Sequence, residues 1–271
     1  MRIPLEDNFA DIIGKAQRGL GLSDTDLETR AGLSESDIIV LKKEKFDPFV
    51  LRSLAPVLGL NPEALVALGA GTYKPAAVTL CCLECFNTPF GGMTVNSYLV
   101  WDDATKEAAT FDTGSDATQM LDFLSERGLT LKTLFLTHTH GDHILELDRI
   151  VEKTGAEVFV GNREPAIEGT LAFEAGKEFS LGSLTIGTRL TWGHSQGGIT
   201  YVVRGIEKPV AIVGDAVFAG SMGGGGVSYA DALRTNRAEI MTLPDDTILA
   251  CGHGPLTTVG EQKISNPFLA S

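Results

Sequence analysis

One short stretch of the chain constrains its fold and chemistry more than any other. The apolar residues 131–137 run directly into the sequence THTHGDH, so four side chains able to bind a metal fall within six positions. A β-strand that ends in such a loop brings imidazole and carboxylate groups to one edge of a sheet, and these donors suit zinc, iron or manganese. The candidate ligands are His138, His140, Asp142 and His143.

Three further candidate ligands occupy the same kind of position later in the chain. His194 lies in TWGHSQGG, Asp215 ends the apolar run PVAIVGD, and His253 follows TILACG. All five histidines of the chain therefore fall in loops after apolar runs, beside or near glycine. One such histidine is usually an ordinary surface residue, but five in the same pattern with two aspartates predict a shared metal site.

The chain divides into a helical part and a mixed part. Residues 1–72 show only helical patterns, with Ser23 and Ser34 as predicted N-caps and proline in the first turn of two later helices. From residue 76 onward, β-rich runs alternate with helical ones. This order predicts an α/β fold of sheets covered by helices, preceded by a small all-helical domain. We expect two domains, residues 1–72 and residues 76–271.

Charge and hydropathy exclude several classes of function. The formal net charge is −13, and an acidic surface repels nucleic-acid phosphates and anionic lipid. No apolar run approaches the ~20 residues that a membrane helix needs. Residues 1–13 are acidic and amphipathic, whereas a signal peptide begins with basic residues and continues with an apolar run. We expect a cytoplasmic protein that acts on a small molecule and binds neither nucleic acid nor membrane.

The cysteines do not indicate a second metal site. Cys82 and Cys85 form a CxxC pair, which can bind a metal or carry out redox chemistry. The pair lies in VTLCCLECF, which is typical of a β-strand, and no second CxxC completes a site with four thiolates. We therefore interpret these cysteines as structural residues.

The motifs THTHGDH, GHSQGG, GDAVF and GHGP, in this order, resemble those of the metallo-β-lactamase fold hydrolases over about residues 78–271. The resemblance implies an αββα sandwich, with two sheets face to face, helices outside and two divalent metal ions at one rim. Zinc is favoured, with iron or manganese as alternatives. The resemblance implies that the first ion is held by His138, His140 and His194. It implies that the second is held by Asp142, His143 and His253, and that Asp215 bridges the two ions.

Two such cations imply hydrolysis. Cations about 3.5–4 Å apart lower the pKa of a shared water enough to give hydroxide near neutral pH. The bridged hydroxide attacks a carbonyl or phosphoryl centre, and a metal stabilises the developing oxyanion. Asp142 is expected to be the catalytic carboxylate that steers the proton. Thr137, Thr139 and backbone carbonyls are candidate acceptors for the outer nitrogens of the histidine rings.

The tail LPDDTILACGHGPLTTVGEQKISNPFL, together with TVNSYLVW and FDTGSD, resembles short bacterial glyoxalase II, a group of hydroxyacylglutathione hydrolases that cleave a thioester. Three features depart from that group. THTH lacks the third consecutive histidine of the longer enzymes, no glutathione-holding helical extension is expected after His253, and SMGGGGVSYADAL replaces a Gly-Arg-Thr-Asp stretch. We expect hydrolysis of a thioester, or of a related ester or lactone, with little preference for glutathione.

A second enzyme class has the same motifs. Persulfide dioxygenases resemble this chain but hold one iron, through residues that match His138, His194 and Asp215. Two histidines and one carboxylate form a typical site for non-haem iron. Because all seven candidate ligands are present, we favour two metals and keep the mononuclear dioxygenase as the alternative.

The helical part resembles a different family. Residues 22–48 are similar to the helix-turn-helix of Cro/repressor-type DNA-binding domains, with Gly32 at the turn. The helix that would read the bases begins with Glu35, Ser36 and Asp37, and residues 1–72 carry 8 Lys/Arg against 11 Asp/Glu. Both features oppose DNA binding. We expect this module to pack on the hydrolase domain or to mediate self-association, and a DNA-binding regulator with a metal-domain sensor is the alternative.

Overall fold

In the computed structural model, which describes residues 3–270, helices occupy the N-terminal part, and strands alternate with helices after it. The α-helices are α1 (Phe9–Leu20), α2 (Asp24–Ala31), α3 (Glu35–Lys42), α4 (Pro48–Leu54), α5 (Pro62–Gly69), α6 (Thr118–Arg127), α7 (Gly141–Ile144), α8 (Leu147–Thr154), α9 (Tyr229–Thr235) and α10 (Val259–Ser265). The β-strands are β1 (Leu83–Phe90), β2 (Met93–Trp101), β3 (Glu107–Phe111), β4 (Thr130–Phe135), β5 (Glu157–Gly161), β6 (Thr170–Phe173), β7 (Glu178–Leu181), β8 (Leu184–Leu190), β9 (Ile199–Arg204), β10 (Val210–Gly214), β11 (Ile248–Cys251) and β12 (Thr257–Thr258).

Local sequence signals set the ends of the N-terminal helices. Ser23 and Ser34 cap α2 and α3, and each accepts a hydrogen bond from the backbone N–H three residues later. An N-cap side chain of this kind satisfies one of the backbone donors that the first turn leaves free. Gly32 ends α2 with φ at +65°, a conformation that favours glycine. The helices predicted within residues 1–72 are confirmed.

The strands form two sheets of six. The first has the order β1-β2-β3-β4-β5-β6, antiparallel up to β3 and parallel from β3 to β6. The second has the order β12-β11-β10-β9-β8-β7 and is antiparallel except between β10 and β11. The parallel pairs place the carboxyl ends of β3 and β4, and those of β10 and β11, side by side.

The sheets face each other across an aromatic core. Phe111 and Phe135 of the first sheet stack at 5.4 Å, and both rings contact Tyr201 of the second sheet. Side chains of α6 and α8 pack on the outer face of the first sheet, while α1–α5 and α9 pack on the outer face of the second. Helices therefore cover both outer faces, and the predicted αββα sandwich is confirmed.

The N-terminal helices share one core with the second sheet. Phe9, Ile12 and Ile13 of α1 belong to the same buried cluster as Ala211 and Val213 of β10. The predicted boundary after residue 72 lies between the end of α5 and the start of β1, but the hydrophobic contacts continue across it. The helical module is therefore one layer of the sandwich.

Two glycines of α1 allow the closeness of this packing to be measured. A Cβ on Gly19 would overlap the ring of Tyr229 in α9, whereas one on Gly14 would meet only the mobile end of Arg18. We expect Gly19→Ala to lower the free energy of unfolding by about 1–3 kcal/mol through overpacking. Gly14→Ala should raise it by roughly 0.5–1 kcal/mol through helix propensity. Urea unfolding tests both, and equal stability of the two variants would contradict the close contact.

Several sequence-based boundaries need correction. The strand predicted at VTLCCLECF begins only at Leu83, because Cys81 and Cys82 form a turn in which Cys82 has φ at +66°. Residues 229–241 have a helical sequence pattern, but the α-helix ends at Thr235 and continues as a π-helical turn. The four-residue strands β6 and β7 were not predicted: β6 (TLAF) lacks an alternation of polar and apolar residues, and β7 (EFSL) alternates over only four residues. No helix within residues 3–270 has the length and apolar character to span a membrane.

Candidate metal centre

Loops at the ends of strands from both sheets meet at one rim of the sandwich. The segment after β4, a loop followed by α7, carries four of the seven predicted ligands, and the loops after β8, β10 and β11 carry one each. The structure brings all seven together, in three overlapping groups whose donor atoms lie within 4.8 Å of one another. The groups are His138, His140 and His194; His138, His143 and Asp215; and Asp142, His143 and His253.

The first group consists of three ring nitrogens. His140 Nδ1 lies 3.0 Å from His138 Nε2 and 3.0 Å from His194 Nε2. Nitrogens that bind one tetrahedral zinc at about 2.0–2.1 Å are about 3.3 Å apart, so this spacing is close to that of a zinc site. His138 is buried while His140 is exposed, so this side of the centre opens to solvent.

The second group lies deeper and contains a carboxylate. His253 Nε2 is 3.3 Å from Asp142 Oδ2, and His143 Nε2 is 3.6 Å from the same oxygen. His143 and His253 are almost fully buried, with side-chain exposures of 0% and 2%. Buried imidazoles that converge on a carboxylate match the donor set of a divalent metal site.

Asp215 lies between the two groups. Its Oδ1 is 3.3 Å from His143 Nε2, and its Oδ2 is 3.4 Å from both His194 Nε2 and His253 Nε2. His143 Nε2 and Asp215 Oδ1 are buried, yet neither has a hydrogen-bond partner among residues 3–270. Two facing buried polar atoms without partners are costly, and a cation between them would satisfy both. The residues therefore fit a pair of metal ions.

The outer ring nitrogens of four histidines are all engaged. Each ring donates a hydrogen bond through Nδ1, so Nε2 is directed into the centre and is the nitrogen that would bind a metal once it carries no proton. The donors and acceptors are His138 to Thr137 Oγ1 (3.0 Å), His143 to Asp112 Oδ2 (2.8 Å), His194 to the Gly224 carbonyl (2.9 Å) and His253 to the Thr94 carbonyl (2.7 Å).

Of the candidate acceptors predicted for the histidine rings, Thr137 and backbone carbonyls contact a ring and Thr139 does not. Thr137 and two backbone carbonyls accept from the rings. Thr139 instead donates to Glu164 at 2.8 Å, and Glu164 also accepts from the backbone N–H of Gly197 at 2.7 Å. Glu164 therefore joins the loop of His140 to the loop of His194, a role that the sequence did not indicate.

Asp112 is the main residue that sequence reasoning missed. It accepts hydrogen bonds from the backbone N–H and the hydroxyl of Thr137, both at 2.7 Å, and from His143. It directly follows β3 and has φ at +57°, a conformation unusual for a residue other than glycine. An aspartate at the end of an apolar strand was the signal that identified Asp215, and the same signal could have identified Asp112.

Burial and charge together set the pKa values of the centre. Burial lowers the pKa of His138 and of His194. Burial also opposes protonation of His143 and His253, but neighbouring carboxylates outweigh it and raise their pKa values to about 10 and about 11. The pKa of Asp215 lies well below its usual value because His143 and His253 outweigh the effect of burial. Without metal, protons on two of the rings balance the carboxylates.

Metal uptake is therefore expected to release protons. At pH 7 the raised pKa values keep His143 and His253 protonated in the metal-free protein, whereas an imidazole must be neutral to bind a metal. We expect about two protons to leave per chain on loading. Calorimetric titration with Zn²⁺ in buffers of different ionisation enthalpy measures this number. Uptake without proton release would contradict the raised pKa values of these two rings in the metal-free protein.

The part of the sequence that carries the metal centre identifies the family of the chain. The model of the metallo-beta-lactamase superfamily matches residues 90–253, from the end of β1 to the last histidine of the centre. The chain belongs to the metallo-β-lactamase superfamily. Proteins of this superfamily bind divalent metal ions, as the donor set requires, and the predicted resemblance is confirmed. The helices α1–α5 lie outside the matched residues.

Individual relatives match about the same fraction of this chain, 68–69%. Hydroxyacylglutathione hydrolase GloC of Haemophilus influenzae is 30% identical over 207 residues, which are 68% of this chain and 96% of that protein. The crystal structure of BLEG-1 B3 metallo-beta-lactamase is 30% identical with a TM-score of 0.62, covering 69% of this chain and 100% of that one. The crystal structure of ETHE1 from Myxococcus xanthus is 26% identical with a TM-score of 0.61, covering 69% of this chain and 84% of that one. The chain is therefore a metallo-hydrolase of this superfamily.

Proposed function

We propose that the chain is a two-metal hydrolase of thioesters, or of related esters and lactones, and that its active site is the seven-residue centre. The observation that carries the proposal is the position of Asp215. Its two oxygens approach His143 on one side and His194 on the other, at 3.3 and 3.4 Å. A carboxylate in this position suits a bridge between two cations.

The proposed ligands divide into two sets around that bridge. His138, His140 and His194 would hold one ion, and Asp142, His143 and His253 would hold the other. When bound, two divalent cations supply a nucleophile by acidifying water and a Lewis acid for the carbonyl oxygen. We favour zinc because the donors are mainly imidazole, with iron or manganese as alternatives.

Asp142 is the proposed catalytic carboxylate. Burial raises its pKa, but the hydrogen bond from His253 and the charge of His143 outweigh burial and lower the value. Asp142 is therefore ionised at neutral pH and can accept a proton at its carboxylate. Its side chain is 13% exposed, whereas those of His143 and His253 are 0% and 2% exposed. It therefore lies where the deep group meets the open side of the centre.

The surroundings of the centre support a weak preference for glutathione. Substrate would enter from the side of His140, which is exposed. Two arginines close in sequence to the metal motifs already have partners: Arg149 is paired with Glu146 at 2.7 Å, and Arg189 donates to the Glu239 carbonyl at 2.6 Å. A cation that already has a partner attracts the carboxylates of glutathione less strongly. We therefore expect the enzyme to recognise the thioester group and to depend little on the thiol that carries it.

The helical residues 1–72 are proposed to serve the enzyme, and DNA binding is not expected. At the start of α3, Asp37 accepts hydrogen bonds from both the backbone and the hydroxyl of Ser34, and Glu35 is exposed. Carboxylates there would face phosphates in a helix-turn-helix complex. The core shared with β10 supports a structural role, and self-association through these helices stays a prediction.

A panel of substrates tests the proposed function. Simple thioesters, S-lactoylglutathione, lactones, a phosphodiester, a β-lactam and glutathione persulfide should be assayed with metal-loaded and chelator-treated protein. We expect metal-dependent cleavage of simple thioesters or lactones, and S-lactoylglutathione should show no advantage in kcat/KM. Strong saturable activity on S-lactoylglutathione would establish glutathione as the carrier. Oxygen uptake with the persulfide would replace the hydrolase with the mononuclear iron dioxygenase.

A further inference from the structure

An ion pair of the N-terminal module contacts the segment that follows Asp215. Lys15 Nζ in α1 lies 2.5 Å from Asp7 Oδ2 and donates to the Met222 carbonyl at 2.9 Å. The hydroxyl of Ser221 donates to the same oxygen of Asp7 at 2.5 Å. Both members of the pair are largely buried, with side-chain exposures of 15% and 8%. The pair therefore holds residues 221 and 222 from outside the metallo-β-lactamase sequence match.

The next residues of this segment contact two proposed ligands. The backbone N–H of Gly223 donates to the Asp215 carbonyl at 3.0 Å, and the Gly224 carbonyl accepts from His194 Nδ1 at 2.9 Å. A Cβ on Gly223 would overlap the Asp215 carbonyl and lie 2.8 Å from His194 Nδ1. The backbone therefore runs against the metal centre with no space to shift inward.

These contacts form a short path from α1 to a ligand ring. Lys15 holds the Met222 carbonyl, and two residues further the Gly224 carbonyl sets the orientation of His194. The segment between them is glycine-rich (Gly223–Gly226) and has little conformational stiffness of its own. Groups that orient a ligand ring typically change metal affinity by about 10–100-fold when removed. Lys15 and Asp7 add side-chain contacts to the backbone hydrogen bonds that Ser221 and Gly223 make with Phe218 and Asp215.

We infer that Asp7 and Lys15 are positioning residues of the metal centre. By fixing residues 221 and 222, they hold the Gly224 carbonyl where it orients His194 for metal binding. The inference rests on the proposed ligand role of His194. It gives the N-terminal module a task in the chemistry beyond covering the second sheet, because neither residue belongs to the matched superfamily span.

Metal affinity of the full chain tests the inference. Lys15→Met keeps most of the side-chain volume and removes the charge, the contacts with Asp7 and the Met222 carbonyl, and the cation–π contact with Phe218. Lys42→Met is the matched control, since it breaks a Lys–Asp pair in the same module, Lys42 with Asp24 at 2.6 Å, that does not involve residues 221–224 or the seven proposed ligands. Competition with a chromogenic chelator measures the two Zn²⁺ affinities of each folded protein. We expect Lys15→Met to weaken one binding step by about tenfold, and Lys42→Met to leave both unchanged.

The outcomes separate the inference from the proposed function. If Lys15→Met lowers Zn²⁺ affinity by less than about threefold, or if Lys42→Met lowers it equally, the positioning role is overturned. The proposed function still stands in that case if the wild-type protein binds two ions. Failure of wild-type protein to bind Zn²⁺, Fe²⁺ or Mn²⁺ overturns the proposed function itself. If Lys15→Met does not fold, Ser221→Ala, which removes the hydroxyl and its contacts with Asp7 and the Met222 carbonyl, is judged by the same thresholds. Urea unfolding of each variant shows whether the protein compared is folded.

Discussion

Asp215→Ala is expected to empty the metal centre and to abolish hydrolysis. Wild-type protein purified without chelator should contain close to two transition-metal ions per chain, as the paired sets of donors predict. Asp215 approaches histidines of both groups at 3.3–3.4 Å, so its removal takes a donor from each ion at once. Loss of the ions removes several kcal/mol of transition-state stabilisation, which corresponds to a fall of at least about a thousandfold in kcat/KM.

Elemental analysis and the thioester assay measure the two effects of Asp215→Ala. Asp148→Ala is the matched control, because Asp148 is an exposed acid in α8 and makes no contact with the seven residues. This control should keep both its metal and its activity. A variant at Asp215 that retained two ions per chain and wild-type turnover would show that this carboxylate is not a bridge.

Asp142→Ala is expected to separate metal binding from turnover. Asp142 belongs to only one of the three groups of converging donors, and the three histidines of the open group do not include it. We therefore expect the variant to keep at least one ion per chain. Turnover should fall by about a hundredfold to ten-thousandfold, the range typical for loss of a positioned proton acceptor.

Metal content and steady-state rates on the same preparation of Asp142→Ala test that separation. Asp142→Asn keeps the shape of the side chain and can still offer an oxygen to a metal, but it cannot accept a proton at neutral pH. It should therefore retain more metal than Asp142→Ala with equally low turnover. Near wild-type rates in Asp142→Asn would assign the proton transfer to another group.

The sequence allows the candidate ligands to be proposed because all seven lie in segments that follow apolar strands. The register of β4 or β10 is fixed by its buried residues, so the position of the next polar side chain is fixed as well. His138 and Asp215 could be assigned in this way without any knowledge of distant contacts. The same logic applied to β3 would have included Asp112, whose oxygens accept from Thr137 and His143.

What the sequence does not predict depends on contacts between distant segments. The acceptor for His194 is the carbonyl of Gly224, 30 positions away, and any residue type could supply a carbonyl. Asp7 and Ser221 are 214 positions apart and appear in no recognisable motif. Residue type and local spacing do not indicate which surface a helix will pack against. The sequence therefore left two alternatives for α1–α5, packing on the hydrolase domain or self-association.

That placement has a consequence for the synthesis of the chain. Because translation proceeds from the N-terminus, α1 leaves the ribosome long before β10 exists, and 207 positions separate Lys15 from its acceptor on Met222. Until then the apolar face of Phe9, Ile12 and Ile13 can pack only on the other early helices. Contacts of such high sequence separation slow folding and leave apolar surface exposed to aggregation in the meantime. The apolar face of the nascent helices thus lacks its final partner until the second sheet has been synthesised.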